Sequence, residues 1–346
     1  MPRRFLLTFF AVFLSLTAIF AGVTALADPY YHYHGPIAGL PLWLEDGRYQ
    51  SVGAAEHLDY ENILLGTSVT ANFDASQFDD ALPGRTQKLI LLGGYFSEFF
   101  RPLDRALETH DVQQIFWGVD ANCWRRLDAE NTWEEPEYLF DKNPWNDVRY
   151  LLNKDTFFWY IPDIIRAART GDYDESAGGF TWGGDQVWSR ETALAVYQRP
   201  EKTEGKQPPN SLLPAARENL ENVLARVEAN PQITFTFFLA PYSILSWDKL
   251  DREGELEAML VMQEEVLTAL TAQPNARVFY FMDDLELITN LDNYCDEVHY
   301  SQTVCRELAR RLLEEEPLRP EEVGPRLEAF GAFLAGYDFD SLFRQS

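Results

Sequence analysis

A serine and a late Asp-x-x-His motif are the residues of this chain best suited to catalysis. Ser68 follows a short apolar run that ends at Gly66. A serine on a sharp turn after a buried strand is held outside the sheet, where its hydroxyl can attack a substrate. Near the other end of the chain, Asp296 precedes His299 by three residues. That carboxylate can fix the tautomer of the imidazole, whose other nitrogen then faces a nucleophile. The pattern predicts a nucleophile, a general base and an orienting carboxylate.

Each half of this pattern also has an ordinary structural explanation. Gly-Thr-Ser is a common way to begin a helix, and a histidine beside carboxylates is common in so acidic a chain. The combination of a strand-end serine with a late Asp-x-x-His is more specific than either half alone. We therefore looked for further groups that the same chemistry needs.

Polar groups at two other predicted strand ends could stabilise the oxyanion of acyl transfer. Gly94 follows the second predicted strand, where a backbone N–H could point at the developing charge. Asp120 and Asn122 follow the third, where a side-chain amide could be a second donor. Losing one such donor costs roughly 3–4 kcal/mol of transition-state stabilisation. A turn glycine and a turn Asx pair explain the same residues without catalysis.

A divalent-metal hydrolase is a less favoured alternative. Acidic side chains also follow the predicted strands at Asp120, Asp283, Asp284 and Asp296. No histidine-rich ligand spacing accompanies them. We accordingly predict no metal and no cofactor.

Five apolar runs, each stopping at a turn residue, predict the strands that position these groups. They cover 60–65, 88–92, 115–119, 233–239 and 278–282. Segments whose apolar residues recur with helical periodicity lie between and after these runs, at 98–110, 215–229, 255–272 and 303–315. Buried strands separated by helices predict an α/β fold with a parallel sheet between helical layers. Functional groups of such sheets collect beyond the carboxyl ends of the strands.

The segment from about 124 to 210 interrupts this alternation of strands and helices. It is rich in Trp, Asn, Asp and Gly and then passes through a polar stretch that contains prolines. We predict that it is an insertion within a single domain, 28–346, and that it could form a lid over the site.

The first 27 residues are not part of that domain. Arg3 and Arg4 precede an uncharged apolar run from 5 to 27 that ends in Ala25-Leu26-Ala27. This is the pattern of an export signal, and the run is also long enough to span a bilayer as an uncleaved anchor. Both readings place the remainder outside the cytoplasm. There, the three cysteines, Cys123, Cys295 and Cys305, could form at most one disulfide.

Charge excludes one class of partner. The 346 residues include 29 basic and 55 acidic side chains, a net charge of −26. Such a surface repels phosphate backbones, so we predict no nucleic-acid binding. A broad polybasic face for membrane attachment is disfavoured for the same reason.

The order of the blocks resembles the SGNH/GDSL hydrolase superfamily. The resemblance rests on Gly-Thr-Ser at 66–68, Gly94, the block 118–122 and Asp-x-x-His at 296–299. A closer resemblance is to membrane-anchored SGNH-like proteins of bacterial cell envelopes. It rests on short motifs such as Asp-Pro-Tyr at 28–30, Asn-Pro-Trp-Asn at 143–146 and Leu-Asp-Asn-Tyr at 291–294. The chain is more distantly similar to the D-alanyl transfer protein of teichoic acid modification and to alginate O-acetyltransferase-like proteins. The resemblance covers nearly all of the exported chain.

This resemblance implies a flavodoxin-like three-layer α/β/α sandwich and assigns roles to the blocks. Ser68 would be the nucleophile, His299 the base and Asp296 its orienting carboxylate, with the N–H groups of Ser68 and Gly94 as oxyanion donors. The third block departs from the family, because Asp120 stands where Asn belongs. A carboxylate donates a hydrogen bond only when protonated. Either Asn122 replaces it, the oxyanion hole is weaker, or the acceptor is not a simple ester.

Two functions remain open on the sequence. The favoured one is a serine-dependent acyl-ester hydrolase or acyltransferase acting on a cell-envelope glycopolymer, tethered to the membrane by its N-terminal helix or secreted. The alternative is a non-catalytic envelope protein that binds glycan or assists assembly on an SGNH scaffold, because a fold alone does not guarantee activity.

Overall fold

A parallel five-stranded sheet forms the centre of the computed structural model, which describes residues 2–37, 39–134, 136–171, 180 and 182–344. Its strand order is β2-β1-β3-β4-β5, and every neighbouring pair is parallel. This order is the flavodoxin-like one, with the switch point between β1 and β3. The predicted α/β sandwich is therefore confirmed. The strands are β1 Asn62–Gly66, β2 Thr86–Ile90, β3 Gln114–Gly118, β4 Thr234–Leu239 and β5 Ala276–Tyr280.

Helices account for most of the remaining structure. They are α1 Pro2–Ala27, α2 Gly47–His57, α3 Ser68–Ala71, α4 Ser76–Asp79, α5 Phe96–Thr109, α6 Ala121–Trp124, α7 Val148–Leu151, α8 Ile161–Thr170, α9 Arg190–Val196, α10 Leu213–Ala229, α11 Ile244–Arg252, α12 Leu256–Thr271, α13 Leu285–Thr289, α14 Gln302–Glu314 and α15 Val323–Gly336. A π-helical turn, Thr156–Tyr160, lies directly before α8, and short 3-10 turns cover Asp128–Glu130, Glu137–Leu139, Leu291–Asn293, Pro320–Glu322 and Phe339–Phe343. The four predicted helices correspond to α5, α10, α12 and α14.

Apolar side chains on both faces of the sheet hold the layers together. All five residues of β1 are buried, because helices cover the sheet on either side. On one face Trp117 of β3 packs against Phe96 and Phe99 of α5 and against Phe237 of β4. Burying one such aromatic side chain removes about 150–250 Å² of surface from water. The sheet is thus a rigid platform for the loops at its carboxyl edge.

Three strands end earlier than their apolar runs predict, β3 by one residue and β2 and β5 by two. The runs at 88–92 and 278–282 extend two residues beyond β2 and β5. Leu91, Phe281 and Met282 are nevertheless buried, at 1–3% exposure. The backbone N–H groups of Leu91 and Phe281 still donate to Gly66 at the end of β1 and to Leu239 at the end of β4. The chain turns away from the sheet only after these two residues.

The structure also bears on the predictions about the segment 124–210, the N-terminal helix and the cysteines. The described parts of 124–210 contain α7, α8 and α9 and add no strand to the sheet; that this segment is an insertion stays a prediction. Helix α1 is long and apolar enough to cross a membrane, as both a signal sequence and an anchor would be. Cys123, Cys295 and Cys305 are free thiols and all are buried.

Candidate active site

The turn after β1 places Ser68 at the start of α3. Two glycines make this turn possible, because a Cβ on Gly66 would lie 2.2 Å from the hydroxyl oxygen of Thr70, and a Cβ on Gly118 would lie 2.0 Å from it. Thr70 therefore packs into a space between the ends of β1 and β3 that only glycine, which lacks a Cβ, leaves open at positions 66 and 118. The side chain of Ser68 is left at the carboxyl edge of the sheet.

The structure brings Ser68, His299 and Asp296 together in a hydrogen-bonded chain. The hydroxyl oxygen of Ser68 lies 2.8 Å from Nε2 of His299, across 231 residues of sequence. Nδ1 of His299 lies 2.6 Å from Oδ2 of Asp296. If Nδ1 carries the proton and donates it to this carboxylate, Nε2 is free to accept the serine proton. The side chains of His299 and Asp296 keep 22% and 30% exposure, so a substrate can reach them.

Backbone donors hold the carboxylate of Asp296 in place. Its Oδ1 accepts the N–H groups of Val298 at 2.8 Å and His299 at 2.7 Å. Burial by itself would raise the pKa of Asp296, but the hydrogen bond and charge of His299 and these backbone donors outweigh it and lower that pKa below the ordinary value. The carboxylate is therefore ionised at any pH at which neutral His299 can act as a base, as an orienting and charge-stabilising group must be.

Trp182 contacts both Ser68 and His299. Its indole N–H donates to the carbonyl oxygen of Ser68 at 2.9 Å, and its ring meets that of His299 in a T-shaped contact with centroids 4.6 Å apart. Its backbone N–H donates to the side chain of Asn72 at 3.1 Å. Sequence reasoning missed this residue. The aromatic richness of 124–210 was the only available signal, and it does not single out one tryptophan.

Asp120 accepts several hydrogen bonds at the third strand end. Its Oδ1 accepts the backbone N–H of Asn122, in the first turn of α6, at 2.8 Å, and also the hydroxyl of Tyr242. Its Oδ2 accepts the hydroxyl of Thr67 at 3.3 Å. Burial raises the pKa of Asp120 despite these donors and the nearby positive charge of Arg126. Asp120 thus acts here as a partly buried acceptor.

Asn122 and Tyr242 complete this network. The amide of Asn122 donates to the hydroxyl oxygen of Tyr242 at 3.2 Å. Tyr242 is 3% exposed and follows β4. The sequence offered no reason to place it beside the third block. A cleft of about 440 Å³ opens next to this network and is lined by Asn122, Tyr242 and Val298, among others.

The N–H of Gly94 is engaged within its own turn. It donates to the carbonyl oxygen of Leu91 at 2.9 Å. Gly93 adopts a left-handed backbone at φ 62°, which favours glycine. The guanidinium of Arg126 donates to the carbonyl oxygens of Gly94 at 2.8 Å and Gly93 at 3.2 Å, fixing the turn. The structure therefore does not present the expected Gly94 donor as a free group. The N–H of Ser68 lies at the first position of α3, where helices leave N–H groups without intrahelical partners.

Two of the acidic residues considered as metal ligands form ion pairs instead. Asp283 binds Arg326, with its Oδ2 2.5 Å from Nε, and Asp284 binds Arg311 at 2.6 Å. Across the part of the chain that the structure describes, no three His, Cys, Asp or Glu side chains are grouped so as to hold a metal ion. A larger cleft, of about 990 Å³, lies near the beginning of β2 and is lined by His57, Asp79 and Arg85, away from Ser68.

Comparisons with known proteins add little to this geometry. No family model matches the chain, and no curated protein matches it. A solved structure described as a "putative platelet activating factor from Streptococcus pneumonia" is similar with a TM-score of 0.41 and 11% identity, covering 78% of this chain and 90% of that chain. A likeness this low carries no inference about activity, so the function is argued from the site itself.

Proposed function

We propose that this protein is a serine-dependent acyl-ester hydrolase or acyltransferase that acts on a glycopolymer of the cell envelope. The observation that carries the proposal is the Ser68–His299–Asp296 relay, with contacts of 2.8 Å and 2.6 Å at the carboxyl edge of a parallel sheet. A serine, a histidine and a carboxylate in this order are the groups that acyl transfer through a covalent intermediate requires.

In the proposed mechanism, the oxygen of Ser68 attacks the acyl carbonyl while Nε2 of His299 takes the serine proton. The tetrahedral intermediate collapses when His299 returns that proton to the leaving alcohol, leaving an acyl group on Ser68. Water or a sugar hydroxyl then attacks the acyl-enzyme and loses its proton to His299. His299 returns that proton to the oxygen of Ser68 as the bond between this oxygen and the acyl carbon breaks, so the free enzyme is regenerated. Asp296 holds the ring in the required tautomer and stabilises the imidazolium in each step.

The backbone N–H of Ser68 is the donor best placed for the oxyanion. The side-chain amide of Asn122 can supply a second donor, because an amide has two N–H groups and the contact with Tyr242 uses one. Each donor is expected to contribute roughly 3–4 kcal/mol in the transition state. Asp120, with Asn122 and Tyr242 bound to it, would keep that amide in position.

An envelope glycopolymer is proposed as substrate on three grounds. Helix α1 has the length and apolarity of a signal or membrane anchor. The sequence resembles SGNH-like proteins of cell envelopes. Trp182 contacts His299, and its ring centroid lies 6.2 Å from that of Trp188. Aromatic faces of this kind suit the apolar faces of sugar rings.

A non-catalytic glycan-binding role is the second candidate. Its support is the departure at Asp120 together with the engaged N–H of Gly94, since both reduce the set of oxyanion donors. It predicts glycan binding without turnover.

Hydrolysis of p-nitrophenyl acetate by the full-length chain in detergent distinguishes these candidates. We expect the wild type to hydrolyse the ester, Ser68→Ala to lose at least 1,000-fold in kcat/KM (a general expectation for loss of such a nucleophile), and Ser76→Ala, at a half-buried serine of α4, to keep wild-type activity. No turnover by the wild type, together with glycan binding that survives Ser68→Ala and His299→Ala, would favour the second candidate.

A further inference from the structure

Exposed apolar side chains are concentrated in one short stretch of the exported part. Outside α1, the described residues include 13 large apolar side chains that are exposed, and six of them lie between Trp145 and Ile165. We call these six the apolar patch: Trp145, Val148, Leu152, Phe158, Trp159 and Ile165. Trp145 is 88% exposed, Trp159 66% and Phe158 62%. Monomeric soluble proteins rarely collect large apolar groups in this way without a partner.

The elements that carry the apolar patch pack against the last turns of α1. Phe20 stacks on Phe157 with ring centroids 4.0 Å apart and meets Phe158 at 6.2 Å. Ile165 and Leu26 line the same apolar cleft. Helix α7 and the turn Thr156–Tyr160 both contact α1.

Polar contacts fix the end of α1 to the same region. Asp28, which directly follows α1, accepts the hydroxyl of Tyr150 in α7 at 2.7 Å. It also accepts the backbone N–H groups of Tyr33 and His34. Nε2 of His34 lies 3.1 Å from the carbonyl oxygen of Ala25, within the last turn of α1. The apolar patch therefore has a fixed position relative to α1.

The length of α1 sets how deep this region lies. From Phe5, the first residue after Arg4, to Phe20 a helix rises only about 22 Å. The hydrocarbon core of a bilayer is about 30 Å thick, and tilting the helix shortens its vertical reach. An α1 that crosses a membrane therefore needs residues beyond Phe20, so Phe20 lies within the core. The rings of Phe157 and Phe158 beside it then lie in the outer part of the hydrocarbon core.

Local charge and residue type suit the boundary between hydrocarbon and headgroups. The segment 141–170 carries five basic and four acidic side chains, within a chain whose net charge is −26. The five basic residues, Lys142, Arg149, Lys154, Arg166 and Arg169, are all exposed. Tryptophans with nearby Lys and Arg are typical of the headgroup region, where aromatic rings are amphipathic and cations meet lipid phosphates.

We propose that α7, the turn Thr156–Tyr160 and α8 form a membrane-embedded foot, whose apolar patch inserts into the lipid leaflet on the side opposite Arg3 and Arg4. The foot and α1 together hold the domain against the bilayer in one orientation. The proposal is independent of catalysis, because no residue of the Ser68 site takes part in it.

Quenching of tryptophan fluorescence by brominated lipid tests the proposal on the full-length chain. The protein is reconstituted in phosphatidylcholine–phosphatidylglycerol vesicles (3:1) with or without brominated phosphatidylcholine. Because α1 contains no tryptophan, quenching reports on the exported part alone. We expect quenching of the wild type, and loss of at least half of it in the double variant Trp145→Phe/Trp159→Phe.

Trp133→Phe is the matched control, because Trp133 is 61% exposed but lies outside the apolar patch. It should retain the quenching of the wild type. A double variant that loses less than half of the quenching, or no more than Trp133→Phe does, overturns the proposal. Absence of quenching in the wild type also overturns it and would indicate that the apolar patch binds a protein instead of lipid.

Discussion

Replacement of Trp182 tests whether this side chain positions the nucleophile and the base. Trp182→Phe removes the 2.9 Å hydrogen bond to the carbonyl of Ser68 but keeps a ring beside His299. A hydrogen bond of this kind contributes about 0.5–1.5 kcal/mol net. Trp182→Ala also removes the ring contact, worth about another 0.5–1.5 kcal/mol. We therefore expect kcat/KM to fall roughly 2- to 13-fold in Trp182→Phe and roughly 5- to 150-fold in Trp182→Ala.

The assay is steady-state hydrolysis of p-nitrophenyl acetate, with thermal unfolding measured in parallel. Trp188→Phe is the control, because that ring contacts Trp182 at 6.2 Å and contributes no hydrogen bond to the turn of Ser68 among the described contacts. A positioning role requires kcat to decrease from the wild type to Trp182→Phe and further to Trp182→Ala, so that Phe retains part of the function of Trp. The unfolding temperatures of the three proteins should remain close. Trp182→Ala within twofold of the wild type would refute the reasoning.

Two further substitutions address the carboxylates of the site. Asp296→Asn should lower kcat by up to about 10⁴-fold, because it favours the wrong tautomer of His299; a loss below tenfold would contradict the relay. Burial raises the folded-state pKa of Asp120, so the folded chain keeps a proton that the unfolded chain releases, and wild-type stability falls as pH rises between the two pKa values. Asp120→Asn removes this titration, so its gain in melting temperature over the wild type should be larger at pH 7 than at pH 4; an equal difference at both would contradict the assignment.

The fold was predictable because its signals are local. Each strand is a short apolar run that ends at a turn residue, and each of the four predicted helices has helical periodicity. Strand ends differed where Leu91 and Phe281 continue the apolar run into a buried turn. Ser68 was predictable from its place after a buried strand, and Asp296 and His299 from their three-residue spacing. The resemblance of the blocks to the SGNH/GDSL superfamily joined the three residues into one expected site.

The partners of these residues were not predictable in the same way. Trp182 comes from an irregular segment without periodicity and reaches Ser68 across 114 residues. Tyr242 and Asp120 are 122 residues apart. Gly94 was predicted as a donor from its place after a strand, but the hydrogen bond of its N–H to Leu91 depends on the exact turn. Such contacts are set by tertiary packing, which leaves no spacing signal.

Labelling by a fluorophosphonate probe tests the central claim most directly. The probe forms a covalent bond only with a serine whose hydroxyl is activated by a neighbouring base, and peptide mass spectrometry identifies that serine. The Ser68–His299 contact of 2.8 Å predicts stoichiometric labelling of Ser68 in the folded full-length chain and its loss in His299→Ala. Folded protein in which Ser68 stays unlabelled, or is labelled equally in His299→Ala, would contradict the account.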